Sequence, residues 1–191
     1  MKAKYSIFAA VSLFVLALDQ ATKIWIVENI EYRTGGISVI DGFFEIVHVQ
    51  NKGAAFGMGS GTDGAITFFL IFTVVAVAVI LSMLMKLHPR ERYMSAVLGL
   101  IMSGAIGNAI DRAHKGSVTD FLRFYTEDTA LASWLIEKGI STEYPSFNVA
   151  DMAIVGGVIF FIAYQVLIGD PMEVTEVEDL PDAEPDAAAG D

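Results

Sequence analysis

Four long apolar runs, separated by polar stretches, set the pattern of this chain. Ser6–Val27 is apolar as far as Leu18 and then carries Asp19 and Lys23. Ala65–Leu87 is uncharged until Lys86. Tyr93–Ala113 is apolar to Ile106 and turns polar through Asn108, Asp111 and Arg112. Val149–Ile168 has one charge, Asp151, in its first turn. A helix needs roughly 20 mainly apolar residues to cross a bilayer, so four transmembrane helices are expected over about 6–27, 65–87, 93–113 and 149–168. The first run is read as a span and not as a cleaved leader: Ala17 is followed two places on by Asp19, so no small–x–small site closes it.

The connections have a different grammar. Gly36–Val49 is rich in β-branched and aromatic residues around an Asp41-Gly42 turn signal, which predicts a small β element over about 36–57. A glycine-rich stretch, Gly53–Gly64, follows it. Thr129–Lys138 predicts a short amphipathic helix that turns Leu131, Trp134 and Leu135 towards the lipid interface. The expected fold class is therefore an all-α membrane protein: four transmembrane helices, a small extracytoplasmic β element and a short interfacial helix. Residues 1–169 form the membrane domain. Residues 170–191, acidic and carrying Pro171, Pro181 and Pro185, are expected to be a disordered cytoplasmic tail.

Composition agrees and narrows the function. The chain is 54% hydrophobic and only 18% charged, with a mean hydropathy of +0.54, against about a quarter charged in soluble domains. The last 22 residues hold nine acids and no Lys or Arg, which leaves 14 acids against 12 bases elsewhere. The body is thus nearly neutral and has no basic face for nucleic acid. With no cysteine there is neither a thiolate nucleophile nor a thiolate metal site. His48, His88 and His114 are scattered, so no histidine metal site is expected. Ile101, not glycine, stands two before Ser103, which argues against an intramembrane serine protease, and the glycine-rich stretch lacks the strand–loop–helix frame of a phosphate cradle.

Basic residues orient the spans. Lys2 and Lys4 precede the first, and Lys86, Arg90 and Arg92 lie between the second and third. Both segments, and both termini, are expected in the cytoplasm, with the two long connections outside. On that orientation Asp19 and Lys23, then Asn108, Asp111 and Arg112, then Asp151, with Asp120 just beyond span three, all fall at one level near the outer leaflet. Ionisable groups within spans are costly and commonly functional. Each also has a plainer reading. Asp19–Lys23 and Asp111–Arg112 are candidate neutralised pairs that hold the bundle together. Asp151, three residues after Asn148, has the spacing of a helix cap, and Asp120 reads equally as a loop carboxylate. Ser103 and Gly107 form a small–xxx–small stripe for close helix approach.

Four blocks at this level carry a family resemblance. They are Asp19-Gln20-Ala21-Thr22-Lys23; Asn51-Lys52-Gly53-Ala54-Ala55-Phe56-Gly57; Gly107-Asn108 with Asp111-Arg112, Gly116, Val118 and Asp120-Phe121; and Phe147-Asn148-Val149-Ala150-Asp151. In this order they resemble the bacterial lipoprotein signal peptidases (signal peptidase II), four-helix aspartic proteases of the bacterial cytoplasmic membrane. The resemblance implies cleavage of prolipoproteins on the amino side of a diacylglyceryl-modified cysteine, with no metal and no cofactor. The partners it implies are those substrates and membrane lipid, and a monomer is expected. The family's catalytic pair falls on Asp120 and Asp151. Its supporting residues fall on Asn51, with Gly53 beside it, and on Asn108, Arg112 and Asn148; Asp19, Lys23 and Asp111 are taken as structural polar residues. The segment 121–147 is longer than usual in the family, and the acidic tail is additional. For the pair, the helix dipole at the start of span four favours an ionised Asp151 as base. A small ion- or proton-coupled transporter using Asp19, Lys23, Asp111 and Arg112 is the alternative from another class.

Overall fold

A computed structural model describes residues 2–53 and 63–169 of the chain. The acidic tail and Ala54-Ala55-Phe56-Gly57 lie outside the described residues. Among the described residues, four helices are long and apolar enough to cross a membrane: α1 (Lys2–Asn29), α2 (Asp63–Lys86), α3 (Arg92–Lys115) and α5 (Val149–Leu167). They coincide with the four runs expected. A nine-residue helix, α4 (Thr129–Glu137), lies where the short amphipathic helix was expected; Asp128 caps it by accepting from the Leu131 N–H at 2.8 Å, and none of its residues is buried.

The strands go beyond the sequence reading. The expected element supplies β1 (Gly36–Ile40) and β2 (Phe44–Asn51), which pair antiparallel around Gly42. Two further strands, β3 (Val118–Tyr125) and β4 (Glu143–Phe147), complete an antiparallel sheet of order β1-β2-β3-β4. The segment 121–147 is therefore not an extended loop. It leaves along β3, turns through α4 and returns along β4. Pro145 fits in β4 because an edge strand can spare an N–H. Asp120 is correspondingly a strand residue and not a loop carboxylate.

α3 is the centre of the bundle. It packs on α1, α2 and α5, and 56% of its apolar stretch is buried, against 11–17% for the other three. The outer helices instead expose Phe14, Ile71, Phe72 and Val166, as a lipid-facing surface requires. At one end Ile80, Leu84, Leu87, Met94 and Leu98 lock α2 to α3. At the other, Phe121 of β3 packs with Ile26 and Ile30 against Ile46 and Val149. This second cluster seats β3 on the ends of α1 and α5, and so fixes the position of Asp120.

Of the expected small-residue stripe, Gly107 makes a close helix approach, and Gly104 makes a second beside Ser103. Ser103 turns its hydroxyl back to the Leu100 carbonyl at 2.7 Å, whereas Gly104 meets the Ala150 carbonyl so closely that a Cβ there has no room. A Cβ on Gly107 would stand 2.5 Å from Asp19 Oδ2. The glycines let α3 touch α5 and α1 at the level of the charged residues.

Candidate active site

Asp120 and Asp151 arrive from different elements and are held by the same amides. Asp120 lies on β3 opposite Val49 of β2 and is 2% exposed. Its Oδ1 accepts from Asn148 Nδ2 at 2.7 Å and its Oδ2 from Asn51 Nδ2 at 2.9 Å. Asp151 lies in the first turn of α5, where its Oδ2 accepts the Asn148 N–H at 3.1 Å and Asn148 Oδ1 accepts the Asp151 N–H at 3.0 Å. That is a capping box, so the plain reading of Asp151 is correct as far as it goes. Its other oxygen accepts from Asn108 Nδ2 at 2.7 Å. Asn148 also donates to Asn108 Oδ1 at 3.2 Å. The two acids are thereby joined through Asn148 and Asn108, and all four carboxylate oxygens face an N–H.

The amides are themselves oriented. Gly53 donates its N–H to Asn51 Oδ1 at 2.9 Å, which turns the Asn51 NH₂ towards Asp120. Gly53 has φ +78° and would place a Cβ 2.6 Å from the Phe69 ring, so glycine is required on both counts. Lys23 donates to Asn108 Oδ1 at 3.0 Å, which turns that NH₂ towards Asp151.

Burial dominates the electrostatics of Asp120. It pushes the carboxyl from its ordinary 3.8 up to about 6, against the Asn51 hydrogen bond; the charge of Asp151 reinforces the rise, while Asn148 and Lys23 oppose it. Like charges held near one another disfavour double ionisation.

Below the pair lies a closed charge network. Lys23, 1% exposed, contacts Asp19 at 3.0 Å and Asp111 at 3.3 Å. Asp19 also accepts the Ala150 N–H at 2.9 Å, tying α1 to the first turn of α5. Asp111 accepts the Thr119 N–H at 3.0 Å and pairs with Lys115 at 3.3 Å. The pairing of Asp19 with Lys23 is as expected; that of Asp111 with Arg112 is not. Consecutive helical residues point in different directions. Arg112 instead lies over the Phe69 ring, 4.2 Å from its centroid, within the fields of Asp151, Asp120 and Asp111. Thr119 and Lys115 join the network without having been singled out. Thr119 is wholly buried, and its carbonyl accepts from Asn148 at 3.3 Å. Its one sequence signal is a place beside Asp120 in a β-branched pair, Val118-Thr119. Among the described residues, no three His, Asp or Glu side chains are grouped to hold a metal ion.

A four-span bundle that delivers two amide-clasped aspartates to the foot of a small sheet defines a class, the membrane aspartic peptidases. The comparisons narrow it. The chain belongs to the signal peptidase (SPase) II family, whose model matches residues 11–167. A lipoprotein signal peptidase of Geobacter sulfurreducens is 41% identical over 158 residues, covering 83% of this chain and 90% of that protein. One of Maridesulfovibrio salexigens is 40% identical over 163 residues, covering 83% and 94%. A bacterial membrane enzyme solved by the in meso method at 1.9 Å shares the fold with a TM-score of 0.69 at 29% identity, covering 84% of this chain and 93% of its own. A second, at 2.3 Å, gives 0.66 at 27% identity and covers 93% of each. The chain is a multi-pass membrane peptidase, and the transporter alternative finds no support; Lys23, one of the residues it would use, is held between Asp19 and Asp111.

Proposed function

We propose that this chain removes signal peptides from prolipoproteins by cutting on the amino side of a diacylglyceryl-modified cysteine, with Asp120 and Asp151 activating water between them. One observation carries the assignment of the pair: the two carboxylates come from β3 and α5 and meet through Asn148 and Asn108. Hydrolysis by two carboxylates needs one ionised to deprotonate water and one protonated to polarise the scissile carbonyl. Asp120, pushed up to about 6, holds the proton in the free enzyme, and Asp151, at a helix N-terminus, is the base. The tetrahedral diol collapses as the new amine takes a proton. Asn51, Asn108 and Asn148 hold the acids in register, and Arg112 adds positive potential beside them. The chain acts as a monomer, without metal or cofactor. The two acyl chains stay in the bilayer, each buried CH₂ contributing about 0.8 kcal/mol.

The test is purified protein in detergent, with chelator, given a diacylglyceryl-modified prolipoprotein and its unlipidated twin. Cleavage of the first alone is expected. Because the mechanism needs Asp120 protonated in the free enzyme, kcat/KM falls about tenfold per pH unit above about 6. Failure of a folded sample to cut the lipidated substrate overturns the reading.

The site is placed at the outer face of the bacterial cytoplasmic membrane, with both termini inside; Lys4, Lys86, Arg90 and Arg92 support this by their loops. The chain has no cysteine, so single introduced thiols report the topology directly. Ser133→Cys in α4 is expected to react with an impermeant maleimide in spheroplasts. Arg90→Cys should react only after the membrane is opened. The reverse pattern inverts the orientation.

A further inference from the structure

Next to Asp120 lies a cleft of about 690 Å³, and none of the described residues that line it belongs to a span. Arg33, Val49, Lys52, Asp120, Glu143 and Ser146 line it, from the turn after α1 and from β2, β3 and β4. It runs on into a second cleft of about 450 Å³ that shares Arg33, Val49, Glu143 and Ser146 and adds Glu45 and Arg123. The charges along this groove divide into two kinds. Glu143 and Glu45 are both engaged by Arg123, at 2.8 Å and 3.2 Å. Arg33 and Lys52 are exposed and make no ion pair among the described residues; Arg33 lies over the Tyr32 ring, 5.1 Å from its centroid. Asp120 of the catalytic pair apart, the charges of the groove that make no ion pair among the described residues are therefore both positive. Arg33 is also the single non-glycine residue with positive φ, +66°, among the described residues, a conformation that a residue with a Cβ seldom adopts.

We propose that this groove is the subsite for the mature side of the substrate and that Arg33, with Lys52, makes it prefer an acidic residue there. The inference rests on the prolipoprotein reading above. Of such a substrate, the signal segment and the acyl chains belong to the bilayer, so the polypeptide after the cysteine is the part left to leave Asp120 along the sheet. The reach follows from the pairing. Asp120 pairs with Val49, and Arg33 donates its backbone N–H to the His48 carbonyl on the far side of β2. Two strand spacings, roughly 10 Å, equal about three residues of extended chain. The third mature residue, counting the cysteine as first, lies opposite Arg33.

Three lipidated peptides that differ only in Asp, Asn or Lys at that residue test the subsite. The expected order of kcat/KM is Asp, Asn, Lys, with about a tenfold span at low salt that shrinks at high salt, as for partly screened charges. The difference falls in KM, since Arg33 lies about two strand spacings from Asp120 and the scissile bond. Arg33→Glu is expected to invert the order. Arg33→Gly, which suits the +66° backbone, is expected to flatten the order without straining the turn. Equal rates for the Asp and Lys peptides in the parent, or an unchanged order in both variants, overturn the subsite alone. No cleavage of any of the three by folded parent overturns the underlying reading as well.

Discussion

Asp120→Asn is expected to lower cleavage by roughly 10²- to 10⁴-fold, the scale of a lost general acid–base group, while the protein stays folded. The substitution keeps the shape but removes the proton that the scissile carbonyl needs. Its effect on stability is the sum of two opposed changes. The new NH₂ must face either Asn51 or Asn148, both of which already donate to this side chain, so one buried donor loses its acceptor at a cost of about 1–3 kcal/mol. Against that, the native carboxyl is raised from 3.8 to about 6. A raised acid binds protons more tightly when folded, so the parent is favoured at low pH and loses stability as pH climbs through that interval. Two units correspond to roughly 3 kcal/mol. The neutral amide carries no such dependence. Near pH 8 the variant should melt within a few degrees of the parent, and near pH 4 it should melt lower. Thermal unfolding in detergent at both pH values, beside the cleavage assay, reads all three expectations. Asp151→Asn is expected to lose activity to the same degree. Substantial activity in either folded variant removes that residue from the pair.

The spans were legible because a bilayer demands a single, length-defined signal, and each run ends within a few residues of its helix. The hairpin of β1 and β2 was legible through Asp41-Gly42, whose glycine indeed takes φ +73°. The strands β3 and β4 were not. They pair across an intervening helix, with α4 between them in sequence, and no local pattern encodes such a pairing. β4 also holds Pro145, a residue that a sheet accepts at an edge, where the strand order puts it. At the site, Asp19 with Lys23 and Asn148 with Asp151 were readable because i,i+4 and i,i+3 spacings share a face. The partnership of Asp111 was not, since it depends on α1 crossing α3 at Gly107. The link from Asp120 to Asp151 runs through two side-chain amides from separate segments, a contact of the folded state alone.

Lys23→Met is expected to be the most destabilising single change in the buried network and to reduce activity without touching either catalytic acid. The methionine fills similar space but leaves Asp19 and Asp111 without the cation that both contact. Removing one partner of a buried ion pair costs about 3–5 kcal/mol, because the remaining charge stays desolvated. The two acids are not equally exposed to that loss. Asp111 keeps Lys115 and the Thr119 N–H. Asp19 keeps hydrogen bonds from Ala150 and Gln20 but no cation among the described residues. The double variant Asp19→Asn with Lys23→Met should therefore recover much of the lost stability, which is the signature of coupling between neighbours. Activity should not recover with it. Lys23 also orients Asn108, whose Oδ1 it holds so that Nδ2 meets Asp151. Without that hold only Asn148, at 3.2 Å, still donates to the same oxygen, so the amide is held less firmly; a hydrogen bond to a charged group is worth about 1.5–3 kcal/mol, and its weakening corresponds to a fall in kcat of up to roughly 10- to 100-fold. The stability cycle and the rate thus separate the two roles of one lysine: balancing charge for the bundle, and setting the amide that presents Asp151. A double variant that regains full kcat along with its stability would leave Lys23 with the first role only.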